Sequence, residues 1–505
     1  MVLVFNFREN VIIYSMDRSK VIEVLKTLSA DEMKSFRSYV HSPFFNTNRN
    51  VIRLFELLKK QYPDFNPGNI EKELLFRKLY PAKKYSDIVM RILISDMLKL
   101  LEDFLAFSGF SADNIAEKKY LLKELEQRKL NVLYNRHMKE TEQIFEKKGS
   151  INSSYFLEKY EIESAKYDHL IAEDRQDRAG GVLENRGENL VVYFLMNGLN
   201  LVQEMSEFSE VLNYKFENNI TELLFSNLDI DKFYNDLKKS NHRYYPLLEI
   251  YYNLHRFNHN NRSNEYFNML KSSIYTNLKL FDESERNNLL LALESCAVTR
   301  TSLGLNGSQE DLMEIYEVML SELSFSSVKK NYMQANLFRN MFYTALVLKR
   351  LDWAKAFVGK FADYLLPEQR PDMLNYTGAM LCFEGKKYNE ALEMISKVNY
   401  TFFVFKYEAK VLMLKVHYEL SSFEQALSII DTFSHFLSKN KNVSDSNKQP
   451  FMNFLKFLKM LIKLRSKASK PTIFDVNELL KQVESMEHFI SKKWITEKIK
   501  LLLNV

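Results

Sequence analysis

The sequence predicts an all-α chain, an array of helical hairpins preceded by an N-terminal helical lobe, and three observations carry that expectation. Its 505 residues include only 12 Gly and 9 Pro, about a third of the ordinary usage of the two main helix breakers. Apolar residues recur at intervals of three and four from residue 17 onward, with regular polar punctuation and no strand-like alternation. The last third repeats itself every 35 residues, a period that signals stacked hairpins whose core grows along one axis.

Composition bounds the function before any motif is considered. The 70 basic and 65 acidic residues leave a net charge of +5, too near balance for a strong whole-protein field toward nucleic acid or membrane. Such a role would need a local patch. Cys296 and Cys382 stand 86 positions apart without a CxxC, so neither a disulfide framework nor a cysteine zinc site is expected. They read as small buried residues of a reducing, cytoplasmic compartment. No stretch reaches the 18 or so uninterrupted apolar residues of a membrane span. The opening residues MVLVFNFRENVIIYS are split by Arg8, Glu9 and Asn10 and lack both a basic start and a small-residue cleavage site, so they fail as an export signal. Residues 1–16 read as an extension outside the fold, with Met16 as an alternative start.

Residues 17–110 form the predicted lobe. Asp17 is placed to cap a first helix with Val21, Ile22, Leu25 and Leu28 on one face. Ser29 and Glu32 have capping-box spacing ahead of Met33, Phe36 and Val40. Ser42-Pro43 stops that helix, Asn46 or Asn48 starts the next, and Phe44 and Phe45 are expected to fill the corner. Pro63, Pro67 and Pro81 then enforce short helices. A longer helix over 86–107, with Ile88, Ile92, Leu93, Met97, Leu100, Leu101, Phe104 and Leu105 as its apolar positions, is the expected centre of the lobe.

Residues 111–330 read as long helices and degenerate hairpins. Two helices are predicted over 113–147 and 153–174. The stretch 173–189, polar and with three glycines, is predicted to be a flexible loop and a candidate domain boundary. Further breaks are expected at Asn218-Asn219, Ser240-Asn241, Asn258 to Asn261 and Gly304 to Ser308. There, Ser308 would cap a helix beginning at Gln309, with Asp311 completing the box.

The repeat lies within 331–440. Trp353, Tyr388 and Phe423 are spaced by 35 residues, as are Ala356, Ala391 and Ala426, and in the preceding helix Leu346, Leu381 and Val416. An alanine early in a second helix lets the first approach closely, while the aromatic before it plugs the turn. With Gly385-Lys386-Lys387-Tyr388-Asn389-Glu390-Ala391-Leu392 as its best-matching phrase, the segment 331–437 resembles tetratricopeptide-like repeats. The resemblance implies a right-handed superhelical solenoid whose concave face binds protein or peptide partners. In the lobe, Tyr39 to Asn46 and Asp96 to Leu105 are similar to a group of uncharacterised bacterial helical proteins, which implies no activity.

Few residues offer chemistry. His255 and His259 share a helix face at i and i+4, the spacing of paired metal ligands, yet no glutamate follows His255 directly as in zinc hydrolase helices. Glu484 and His488 have the same spacing and read as a surface pair. Phosphate-binding glycine loops and the GxSxG nucleophile motif are absent. No catalytic residue, cofactor or metal site is nominated.

The remaining anomaly is basic. Residues 439–470 hold nine Lys or Arg and one acid, and within them Lys456, Lys459, Lys463, Lys467 and Lys470 line one helix face. Residues 441–505 are expected to cap the array. The expectation is therefore a non-catalytic scaffold that mediates protein–protein interaction. The alternative is a nucleic-acid-associated regulator using the basic face at 456–470.

Overall fold

The fold is taken from a computed structural model that describes residues 16–147, 149–152, 154–211, 214–322, 332–399, 403–440, 445–466, 472–486 and 489–503. Residues 1–15, Lys467, Lys470 and His488, which figure in the sequence expectations, lie outside that range. Among the described residues every named element is helical, and the one β-bridge is an isolated parallel pair, Ile151 with Phe281. The chain is all-α. It divides into two compact units, Met1–Glu146 and Lys147–Val505.

The first unit is built from α1 (Lys20–Thr27), α2 (Ala30–His41), α3 (Arg49–Lys59), α4 (Lys72–Leu79), α5 (Asp87–Ala112), α6 (Asn114–Gln127) and α7, which runs on to its boundary (Asn131–Lys147). The helices α1 to α4 pack around α5, which is the predicted central helix. Phe36 anchors that core, its ring centre 5.1 Å from both Phe55 and Phe104. The Ser29–Glu32 capping box forms as expected.

Other local expectations give way here. Ser19, and not Asp17, caps α1 by accepting from Ile22 N–H. On α5 the residues Leu93, Met97, Leu100, Leu101 and Phe104 are buried, whereas Ile88, Ile92 and Leu105 face out. That helix also continues through Ser108-Gly109, because one glycine costs only about 1 kcal/mol in a helix already anchored by packing. At the Ser42-Pro43 corner Phe45 stacks on Tyr39 with ring centres 4.0 Å apart, but Phe44 is 88% exposed. Buried Asn46 fills the corner instead, donating to Val40 O at 2.8 Å and accepting from Asn48 N–H at 2.9 Å. The helix predicted over 113–147 breaks in two at Lys129, whose φ is 56°.

The second unit begins with α8 (Tyr155–Ala172), α9 (Ala179–Val211), α10 (Ile220–Asn227), α11 (Ile230–Lys239), α12 (Tyr245–His259) and α13 (Asn264–Asn277). It continues with α14 (Glu283–Ser302), α15 (Ser308–Glu322), α16 (Ala335–Val347), α17 (Leu351–Phe361), α18 (Arg370–Glu384) and α19 (Tyr388–Ser396). It ends with α20 (Phe403–Glu419), α21 (Phe423–Lys439), α22 (Asp445–Arg465), α23 (Ile473–Ser485) and α24 (Lys492–Leu503). Most of these helices pack chiefly on their neighbours in sequence, but α12 also packs on α9, α24 on α22, and α18 on α16 and α20.

The predicted loop at 173–189 is the main correction. Only a short 3-10 turn, Gln176–Arg178, separates α8 from α9, and the three glycines lie inside α9. Tertiary contacts outweigh the glycine cost: Ala179 and Val182 pack on Leu170, and the Arg186 guanidinium lies 5.6 Å from the rings of both Tyr160 and Tyr167 on α8. Ser308 is likewise the first residue of α15, and its hydroxyl donates back to Leu305 O at 2.8 Å. Asp311 is drawn away from any capping role by Lys271, 2.8 Å distant.

One turn recurs. After α16, α18 and α20 the residues Lys349, Lys386 and Ser421 take φ of 57–58°. Their N–H groups donate to Leu346, Phe383 and Tyr418 carbonyls at 3.0–3.1 Å. The next N–H groups, of Arg350, Lys387 and Ser422, reach back to Ala345, Cys382 and His417 carbonyls at 2.8–2.9 Å. This is the Schellman arrangement, and its last residue is already the N-cap of the following helix. The same pair of bonds closes helices at Lys129, Asp174, Asn241 and Gly304.

Candidate protein-binding face

These turns fix the register of the repeat. Four residues beyond each N-cap stand Ala354, Ala391 and Ala426, all fully buried. Ala356, the member of the 35-residue column, is exposed. Tyr388 and Phe423 pack back on Phe383 and Tyr418 with ring centres 5.6 and 6.0 Å apart. Trp353 instead stacks on Phe357 of its own helix at 5.1 Å. The first hairpin is therefore offset by two residues, its turn residue lying 37 before that of the second and not 35.

Counting back from the buried alanines in steps of four follows one face of each first helix. Fifteen residues before them lie Arg339, Tyr376 and Val411. Eleven before lie Tyr343, Met380 and Lys415, and seven before lie Val347, Glu384 and Glu419. Polar groups of three successive hairpins meet on this face. Arg339 of α16 pairs with Glu408 of α20, and Tyr376 of the intervening α18 donates to the other oxygen of the same carboxylate at 2.8 Å. The two charged side chains keep only 16% and 19% of their surface. Burial pushes Glu408 above the usual carboxylate range despite the Arg339 guanidinium and the Tyr376 hydroxyl, both of which act the other way. Toward α14, Glu294 accepts from Tyr316 OH at 2.9 Å and from Asn340 Nδ2 at 3.0 Å.

At the other end the face runs under the last helix. The Lys415 ammonium lies 4.7 Å from the Phe383 ring centre and 5.4 Å from that of Trp494. Burial lowers its pKa to about 8 although Glu384 and Glu419 oppose the shift. Glu419 accepts from Lys498 Nζ at 2.6 Å and from Trp494 Nε1 at 3.1 Å. Exposed Tyr343 and Val347 share the α16 side of this face with Lys349, which reaches Glu384 at 2.8 Å. The sequence singled out none of these polar residues, because the row is assembled across hairpins and, on α16, its register starts from Ala354 where the period placed it at Ala356.

The other sequence candidates are scattered. On α22, Lys456 and Lys463 are exposed, while Lys459 pairs with Asp431 of α21 at 2.8 Å. Arg465 closes the α20–α21 turn, its guanidinium 4.8 Å from the Tyr418 ring centre and within 3.4 Å of Tyr418 O. The His255 and His259 rings are 4.2 Å apart on α12, at a cleft of about 640 Å³ that also contains Asp231, Tyr252 and Arg256. Burial and the neighbouring His259 lower His255 to about 4. Among the described residues no three His, Cys, Asp or Glu side chains converge as metal ligands. Glu484 is exposed, Cys296 is buried and Cys382 half-buried, and the two cysteines form no disulfide. No described helix is long and apolar enough to cross a membrane. No family model, curated protein or solved structure matches the chain.

Proposed function

We propose that the chain is a non-catalytic scaffold of tetratricopeptide-like hairpins, stacked as a right-handed superhelix, that binds a protein partner along the first-helix face of α14, α16, α18 and α20. The observation that carries this reading is the convergence of Arg339, Tyr376 and Glu408 from three successive hairpins. It ties the first helices together through a polar centre that is largely buried, beside which Tyr343 and Val347 are exposed. Solenoids use such surfaces for extended peptides and partner helices. A mixed row of half-buried charges favours a partner selected by complementary pairs over one attracted by net charge.

Site-specific photo-crosslinking tests it. A crosslinking residue at Tyr343 should capture a protein partner, and capture should survive nuclease treatment. Its absence at Tyr343, with nuclease-sensitive capture from Lys456 or Lys463, would move the function to the basic helix. Among the described residues of α22, Lys456, Lys463 and Arg465 are exposed, and the nucleic-acid reading predicts binding that falls steeply with salt.

A further inference from the structure

The helix α9 is apolar on both sides. One face buries Val192, Leu195, Met196 and Leu199 against the rest of the unit. The opposite face carries Leu183, Leu190 and Phe194, spaced by seven and four so that they follow one line along the helix, with Val191 beside them. A helix that is apolar all round is normally covered all round. Here the cover is partial. The helix α10 crosses this face near Phe194, where the Phe225 ring stacks at 5.5 Å and rests against Gly198, while Leu201 and Phe208 farther along the same line stay 44% and 47% exposed. A Cβ at Gly198 would stand 2.5 Å from that ring, so the glycine is what allows α10 to sit so close. Asn219, the α10 cap, also donates from Nδ2 to Met205 Sδ at 3.0 Å.

The result is a step. The helix α10 stands proud of α9 as a ridge, and its own outer side is apolar, with Ile220 78% and Leu223 64% exposed and Leu224 beside them. Next to the ridge, Leu183, Leu190 and Val191 form a bare stripe, each between 44% and 48% exposed. Ridge and stripe are each about three large aliphatic side chains, and their centres are on the order of 16 Å apart along α9 at 1.5 Å per residue. A surface holding a protrusion and a matching recess side by side is what an isologous two-fold contact requires.

We propose that the chain pairs with a second copy of itself through this surface, the α10 ridge of each copy seating on the bare α9 stripe of the other. The area fits. At about 150 Å² for a fully exposed large aliphatic side chain, the low end of the range for aromatic ones, these six residues leave roughly 500 Å² of apolar surface per copy. Two copies would bury about 1,000 Å² of it, and at the roughly 65% apolar share of homodimer contacts the whole interface comes to about 1,500 Å², within the standard size for a stable complex. A single patch of this kind is also at the upper end of what monomers leave uncovered.

The test is sedimentation velocity on the full chain between about 1 and 100 µM, a range chosen to bracket ordinary homodimer affinities. The expected result is a rise from 59.9 kDa toward twice that mass. Leu190→Lys and Leu223→Glu should each return the chain to the single-copy mass with unchanged helical circular dichroism, since both side chains point to solvent in the single chain. The double variant should pair again, because the proposed pairing brings position 190 of one copy against position 223 of the other. A wild-type chain that stays at the single-copy mass throughout overturns the proposal, whatever else it binds. So does a Leu223→Glu chain that still pairs, or a double variant that fails to recover.

Discussion

Burial decides how single side chains on the proposed face behave, and Lys415 shows it most directly. Its pKa falls from 10.5 to about 8 on folding, so between those values the folded chain has shed a proton that the unfolded chain retains. Stability contributed by this group therefore rises with pH from about 8 to 10.5. At pH 7 the buried ammonium costs about 3 kcal/mol, and contacts with the Phe383 and Trp494 rings offset about 1 kcal/mol of it. Lys415→Met keeps the volume and removes the charge, so it should raise stability by about 2 kcal/mol at pH 7, with the gain shrinking above pH 8. Urea midpoints at pH 7 and pH 10 check this, and a variant no more stable than wild type at pH 7 would contradict it. The alanine columns give a second prediction. Ala391→Leu and Ala426→Leu overpack fully buried sites and should cost about 1–3 kcal/mol, whereas Ala356→Leu, on an exposed site, should stay within about 0.5 kcal/mol. Equal midpoint losses at all three would restore the 35-residue register. Two alanines two residues apart, at 354 and 356, made that register illegible, since spacing alone cannot tell a buried alanine from an exposed one.

The hairpin turn is the element that repeats, and its sequence hides it. Of the seven such turns among the described residues, only that at Gly304 has a glycine in the left-handed conformation, the others having Lys129, Asp174, Asn241, Lys349, Lys386 and Ser421. Left-handed backbone costs an L-residue about 1–2 kcal/mol, and the extra chain entropy of glycine returns about 0.5–1 kcal/mol of that. Lys386→Gly should therefore stabilise the chain by about 0.5–1 kcal/mol, and Gly304→Ala should destabilise it by a similar amount, both read as shifts in the denaturation midpoint. A Lys386→Gly chain that melts earlier would mean the lysine side chain contributes more than its backbone costs. Most helices were legible because their apolar spacing and breaks are local, and the breaks at Asn218-Asn219, Ser240-Asn241 and Gly304 all fall at turns. The start of α9 was not. Its glycines argue for a loop, and the contacts that hold it helical, Ala179 and Val182 on Leu170 and Arg186 between two α8 tyrosines, are invisible along the chain. The polar row from Arg339 to Glu419 was hidden for the same reason, being assembled across hairpins.

At the scale of the second unit, packing from α14 onward is mainly between neighbours along the chain, which predicts that stability there is a local property. Its apolar interior falls into two main clusters, and α20 belongs to both: Ala409, Leu412 and Val416 join the cluster that extends back to Phe156, while Tyr407, Val411, Leu414 and Tyr418 join the one that extends forward to Ile499. In a stack whose members touch mainly their neighbours, a defect weakens nearby interfaces and fades with distance. Leu458 is fully buried in the forward cluster, so Leu458→Ala should cost about 2–5 kcal/mol through lost contacts and the cavity left behind. Native-state hydrogen exchange followed by mass spectrometry should show protection falling across α21 to α24, by a smaller step in α20, and not at all in α12 to α15. Uniform loss along the unit would mean that its two clusters unfold as one cooperative core. A loss that stops at α20 would identify that helix as the joint between a rigid array, carrying the proposed partner face, and the C-terminal helices that cover the end of it.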